Sequence, residues 1–295
     1  MQATRTELLT PQLLEQIERL SLLTRRPMRG WSTGERRTSR PGHSVEFLDY
    51  RAYGSGDDLR YVDWNIFART DRMHVKLFID DEDLCLHLLV DASASMNWGA
   101  PAKLQWAAQL AAALGFIGLT NHERVGMAVL RERATEGWPP VRGRSQIAPL
   151  LDFLSKLGGM GATNLNQALA TFAERARGPG LVVVLSDLLD PGGYERGLRA
   201  LLERGFDVHV IHVLSPDEME PALDGDVRLI DQETGETIEI SIDRPALGEY
   251  KQRLQQFLDA AETFCKGNEI LYHRLTTDVP MHDAVGAMLR GRLLE

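Results

Sequence analysis

Asp91, Ser93 and Ser95 occupy every second position of the stretch LCLHLLVDASASM (84–96). Alternate residues of an extended segment point the same way, so one carboxylate and two neutral hydroxyls can converge on one point. All are hard oxygen donors, and Mg²⁺ prefers an octahedron of such oxygens while keeping some of its waters. Two further oxygen side chains hold comparable positions. Thr163 lies in a glycine-bounded loop just before a helix pattern, and Asp187 follows the apolar run 181–185 much as Asp91 follows 84–90. If the two runs are neighbouring parallel strands, Asp91, Ser93, Ser95, Thr163 and Asp187 emerge at one sheet edge around one divalent cation: Mg²⁺, or Mn²⁺ or Ca²⁺. Each residue alone is also consistent with a helix cap, since Ser, Thr and Asp satisfy backbone N–H groups at helix starts. The set in this order points to a cation site.

The elements that must position these residues follow from hydrophobic patterning. A short apolar run before a helix reads as a buried, parallel strand, and open α/β sheets bind ligands where such strands end. Beyond 96, helices are predicted at 103–119, 146–157, 166–177, 194–203, 247–264 and 281–289, with strands at 124–130, 181–185, 207–214 and 269–275. Residues 135–141 contain Pro139 and Pro140 and suit only an edge or a loop. The runs 227–230 and 237–241 flank Glu233-Thr234-Gly235-Glu236, a hairpin turn. The expected fold is α/β, a doubly wound, mostly parallel sheet of Rossmann type over 83–295 with a hairpin insertion near 226–242. Residues 1–82 form an N-terminal, β-rich appendage. It opens with a helix at 11–23, capped by Thr10 with Pro11 at its first position. Strands follow at 43–53 and 74–80, joined by an irregular segment of Arg–Asp forks and the apolar anchors Trp64 and Phe67.

Composition narrows the function. The 295 residues carry a net charge of −9, which argues against nucleic acid and anionic membrane as general partners. Cys85 and Cys265 make neither a disulfide framework nor a ligand spacing. The opening residues are polar without an apolar signal core, and the most apolar long window, 104–119, is shorter than the ~20 residues of a membrane span. A soluble, cytoplasmic protein with no membrane span is expected. One basic run stands out: Arg25, Arg26, Arg29, Arg36, Arg37 and Arg40. It is either a second contact surface or a set of partners for acids such as Asp57, Asp58 and those at 80–83.

Asp91-Ala92-Ser93-Ala94-Ser95 with Thr163 and Asp187 resembles the metal-ion-dependent adhesion site of von Willebrand factor A domains. The resemblance implies a von Willebrand A-like fold, Ser93, Ser95 and Thr163 as inner ligands, and Asp91 and Asp187 tuning charge close by. It also implies a protein partner that completes the shell with an Asp or Glu carboxylate. Glu46-Phe47, Arg51-x-Tyr53, Gly56-Asp57-Asp58-x-Arg60, Asp63-Trp64 and Ala68-Arg69 resemble the signature of the domain-of-unknown-function 58 family. That resemblance implies association with a MoxR-type AAA+ ATPase and a role as adaptor or chaperone partner.

Binding rather than catalysis is therefore expected, and no catalytic residue is assigned. The alternative is a metal-dependent phosphoester or ester hydrolase, since an open cation can polarise a phosphoryl oxygen. Against it, the chain has no P-loop, and Gly158-Gly159-Met160-Gly161 does not match a dinucleotide fingerprint. His87, His209 and His212 fall inside strand patterns and read as core. A third reading is an assembly domain in which the same oxygen side chains act only as caps.

Overall fold

The computed structural model describes residues 8–23, 47–54, 57–78, 85–132, 136–176, 180–222, 225–230 and 237–290. The chain divides into two compact units, Gly30–Asp83 and the remainder. In the larger unit, β3 (Cys85–Asp91), β4 (Arg124–Leu130), β5 (Glu136–Val141), β6 (Gly180–Ser186), β7 (Asp207–Leu214) and β10 (Leu271–Thr276) form one six-stranded sheet in the order β10-β7-β6-β3-β4-β5. All neighbours are parallel except β5, which runs antiparallel to β4 at the edge. Pro139 and Pro140 sit in that edge strand, where a missing N–H is tolerated. The apolar runs predicted as buried strands are buried along their whole length in β3 and β6. This is the expected doubly wound α/β architecture.

Helices cover both faces. On one, α5 (Leu165–Arg175), α6 (Glu195–Glu203) and α8 (Arg244–Gly267) bury Leu169, Leu198, Leu201 and Ala261 against Leu89, Val182, Val184 and Val210. On the other lies α3 (Lys103–Thr120), buried nearly all round. A Cβ at Gly115 would come within 2.6 Å of Leu150, and one at Gly118 within 2.7 Å of Val125. These two glycines let α3 approach both the sheet and α4 (Ile147–Ser155). The helices α1 (Pro11–Leu23) and α9 (Met281–Arg290) pack with α3 and with each other. Among the described residues no helix is long and apolar enough to cross a membrane.

The smaller unit pairs β1 (Phe47–Ala52) with β2 (His74–Phe78) in antiparallel register. The segment between them, expected to be irregular, contains a short helix, α2 (Trp64–Thr70). Asp63 starts it by accepting from the backbone N–H groups of Asn65 and Ile66, a cap the sequence reading overlooked. The expected Arg–Asp forks are present: Arg51 reaches Asp57 at 2.8 Å and Arg60 reaches Asp58 at 2.6 Å. Lys76, the helix N–H groups and the Tyr50 hydroxyl hold the Asp63 carboxyl down to about 2. The turn at 233–236 lies outside the described residues, but its two strands pair as expected, as β8 (Gly225–Ile230) and β9 (Thr237–Ile242). A short helix, α7 (Pro216–Met219), was not anticipated.

His87 packs edge-on against Phe172 and Phe206 at 5.2 and 5.7 Å. Its Nε2 has no hydrogen-bond partner among the described residues, and burial pushes its pKa down to about 4. The unfolded chain takes up this proton near the ordinary value of 6.5, whereas the folded chain refuses it until about 4. Stability should therefore fall as pH drops through that window, with His87 contributing about 1–2 kcal/mol of loss near pH 5. In His87→Leu that contribution disappears. Urea unfolding at neutral and mildly acid pH should show wild-type stability falling faster than the variant's, and parallel losses would refute this account.

Candidate functional site

The strand order reverses between β3 and β6: the chain leaves β3 toward β4 and β5, then returns on the other side to build β6, β7 and β10. At such a switch point the connections part in opposite directions and leave a crevice beyond the strand ends. β3 and β6 pair directly, with Val90 opposite Leu185. Asp91 and Asp187 therefore emerge side by side at the crevice.

Asp91 is almost fully buried and is supplied with donors from three segments. Its Oδ1 accepts from the Ser93 backbone N–H at 2.9 Å and from the Thr163 hydroxyl at 2.9 Å. Its Oδ2 accepts from the Ser186 hydroxyl at 2.6 Å. Burial and the nearby Asp187 charge push its pKa up to about 6, against the pull of those three hydrogen bonds. Ser186, at the end of β6, was not anticipated. Its Oγ also accepts from the Leu188 N–H, so it ties the β6 loop to Asp91.

Thr163 reaches this point because its loop is stapled to the Asp91 loop. Met160 N–H donates to Ala92 O at 3.0 Å, Ala94 N–H to Gly161 O at 2.8 Å, and Asn97 Nδ2 to Gly159 O at 2.9 Å. A Cβ at Gly159 would lie 2.6 Å from Ser93 O, so only glycine permits this approach. The run 158–161, which matched no fingerprint, thus serves as a close-packing loop. Beyond it Asn164 caps α5, and Asp190 from the β6 loop accepts from Leu165 N–H at 2.6 Å. All three loops at the crevice are bonded to one another or to the helix they begin.

Ser93 and Ser95 bring their hydroxyl oxygens to 2.9 Å from each other. Asp187 is differently engaged. Its Oδ2 accepts from Lys103 Nζ at 2.7 Å and its Oδ1 from the Leu189 N–H at 3.1 Å. Lys103, the first residue of α3, is 0% exposed and also donates to Glu218 Oε1. Burial alone would push the Lys103 pKa down, but the Asp187 and Glu218 charges more than offset this and hold it above its ordinary value. Sequence reasoning missed both Lys103 and Glu218. A lone lysine at a helix start gives no signal, because charged side chains there are ordinarily solvated.

The structure thus gathers Asp91, Ser93 and Thr163, sets Ser95 beside Ser93, and ties Asp187 to Lys103. Arg25, Arg26, Arg29, Arg36, Arg37 and Arg40 lie outside the described residues. His87, His209 and His212 are buried, as their strand patterns suggested. Trp98 (49% exposed), Met160 (71%) and Leu189 (45%) stand on the three loops of this edge.

Among the described residues no group of three or more His, Cys, Asp or Glu gathers to hold a metal. A cation here would have to be held by a hydroxyl-rich set. Adjacent oxygens around Mg²⁺ are about 2.8–3.0 Å apart when its bonds are about 2.0–2.1 Å, a range that ordinary O–H···O hydrogen bonds share. Ser93 Oγ to Ser95 Oγ and Thr163 Oγ1 to Asp91 Oδ1 are each 2.9 Å.

The family model described as "Protein of unknown function DUF58" matches residues 49–256. An uncharacterized protein of Mycobacterium tuberculosis is 33% identical over 242 residues, covering 80% of this chain and 76% of the relative. An uncharacterized protein of Mycobacterium avium is 36% identical over 115 residues, or 39% of this chain and 57% of that one. Among solved structures, the conserved hypothetical protein BatB from Bacteroides thetaiotaomicron has a TM-score of 0.45 at 16% identity, covering 72% of this chain and all of that one. The SpRpn10 VWA domain has a TM-score of 0.38 at 12% identity, over 70% of this chain and 94% of that domain.

Removing the Ser186 hydroxyl leaves buried Asp91 Oδ2 short of a donor. Ser186→Ala should cost about 1–3 kcal/mol in urea unfolding without divalent cations. Ser95→Ala removes a hydroxyl that meets Ser93 near the surface and should cost less than about 1 kcal/mol. The reverse ranking would contradict the bonding around Asp91.

Proposed function

The chain belongs to the DUF58 family, and from that premise we propose that it is a divalent-cation-dependent protein-binding module, an adaptor or chaperone partner of a MoxR-type AAA+ ATPase. The observation that carries this reading is the set of oxygens at the switch point: Asp91 bound by the Thr163 hydroxyl and the Ser93 N–H, with the Ser93 hydroxyl paired to that of Ser95. Ser93, Ser95 and Thr163 would hold Mg²⁺ directly, with Asp91 as the neighbouring charge. When bound, the cation supplies a positive seat that neutral hydroxyls leave underneutralised, and an Asp or Glu of the partner would complete it. The hydroxyls that now donate within the cluster can turn their protons away, because a hydroxyl is donor and acceptor at once.

The exposed apolar side chains on the loops of this edge suit the same role. Exposed Trp98, Met160 and Leu189 can cover the apolar residues that flank such a carboxylate. Aromatic and methionine side chains are enriched in protein interfaces relative to the rest of the surface. The buried positions of His87, His209 and His212 weigh against the hydrolytic alternative, since a general base must reach substrate.

The deciding experiment is an affinity capture from native extract in Mg²⁺ and in EDTA, with wild type beside Asp91→Ala and Ser93→Ala. Capture of a partner by wild type in Mg²⁺ alone supports the reading, and recovery of an AAA+ ATPase supports the adaptor role. Identical captures in all lanes reject it. Trp98→Ala should weaken capture by roughly tenfold or more, the loss expected of an interface anchor, without changing its dependence on Mg²⁺.

A further inference from the structure

Lys103 is the one buried cation that the reading above leaves unexplained among the described residues, and its surroundings give it a place in the site. Its ammonium lies between two carboxylates from successive strand ends: Asp187 after β6, at 2.7 Å, and Glu218 after β7. Each carboxylate is held from behind. Asp187 Oδ1 is bound by the Leu189 N–H at 3.1 Å. Glu218 Oε2 is bound by the Ser215 N–H at 2.7 Å, while Ser215 Oγ accepts from the Glu218 N–H at 3.2 Å. The Tyr250 hydroxyl from α8 donates to Glu218 O at 2.8 Å and fixes α7. The backbone of Lys103 is fixed as well, its N–H donating to Trp98 O at 2.9 Å.

This arrangement engages both oxygens of Asp187 inside the protein. Asp91 takes only hydroxyl and backbone N–H donors, from Ser93, Thr163 and Ser186, with no ammonium among them. We infer that Lys103 is a positioning residue: it keeps Asp187 from direct contact with the cation, so that the site retains a cation firmly only when a partner's carboxylate is added. This rests on the cation-dependent reading of the same site and specifies its regulation. By neutralising part of the Asp187 and Glu218 charge, Lys103 also lowers the attraction of this edge for a divalent cation, and in a poorly screened interior that difference is not lost to solvent. Both effects favour the ternary arrangement of protein, cation and partner over protein and cation alone.

The test is calorimetric titration of the full chain with Mn²⁺ alone, comparing wild type, Asp91→Ala, Lys103→Met and the double variant Lys103→Met/Glu218→Gln. Wild type should take Mn²⁺ weakly. Lys103→Met should bind at least tenfold more tightly and gain more in Tm from Mn²⁺ than wild type does, because a ligand stabilises according to its affinity. The double variant removes one positive and one negative charge, leaves Asp187 free, and should also bind more tightly; it decides the matter if the single variant folds poorly. Adding Asp91→Ala should abolish the gain in either background. Equal Mn²⁺ affinity with and without Lys103, in a protein whose uptake still needs Asp91, overturns this inference and leaves the adhesion reading intact. Failure of both Lys103 variants to fold even in Mn²⁺ also overturns it, since Lys103 would then be structural only. No Mn²⁺ uptake by any form rejects the cation site itself, and this inference with it.

Discussion

A carboxylate buried at the end of a central strand has to be given hydrogen-bond donors, because a desolvated charge without them is too costly to keep. Asp91 meets this requirement by drawing donors from its own loop, from Thr163 and from Ser186. These come from segments up to 95 residues apart in sequence. The three loops at the sheet edge therefore share one anchor, and none can shift without taking a donor from this buried carboxylate. Even with three donors, burial and the neighbouring Asp187 charge push the Asp91 pKa up to about 6. The carboxylate is therefore under electrostatic load.

The neighbouring ion-pair cluster carries a comparable load. Lys103 stands at the start of α3, where the helix dipole disfavours positive charge, and it is fully buried. Asp187 and Glu218 together offset both penalties. Breaking a buried pair by removing one partner typically costs about 3–5 kcal/mol, so α3 is anchored at this end by charge. Along its length it is anchored by packing, with Gly115 and Gly118 in close approach to Leu150 and Val125. One helix thus joins the hydrophobic core to the polar crevice.

In the smaller unit Arg51, Asp57, Asp58, Arg60 and Asp63 have a structural explanation. Asp63 caps α2 and accepts from Lys76 at 3.0 Å, and Arg51 and Arg60 fork onto Asp57 and Asp58. Exposed pairs of this kind add little stability individually. Their geometry matters more: bidentate and capping contacts set the path of an irregular chain between β1 and β2.

Much of this architecture was legible in the chain. Runs such as 181–185 are apolar without alternation because a parallel sheet covered on both faces buries every side chain, and Pro139-Pro140 marked an edge for lack of N–H donors. The oxygen side chains of the site were visible too, because alternation in Asp91-x-Ser93-x-Ser95 is a local property. What only the tertiary structure decided is which of those oxygens face one another. That depends on strand order, and hydrophobic periodicity is the same for any order of equally apolar strands. Nothing in the sequence singles out Ser186, Glu218 or Lys103. Their roles arise because the fold places the ends of β3, β6 and β7 beside the start of α3, where burial turns a commonplace lysine into the counter-charge of two carboxylates.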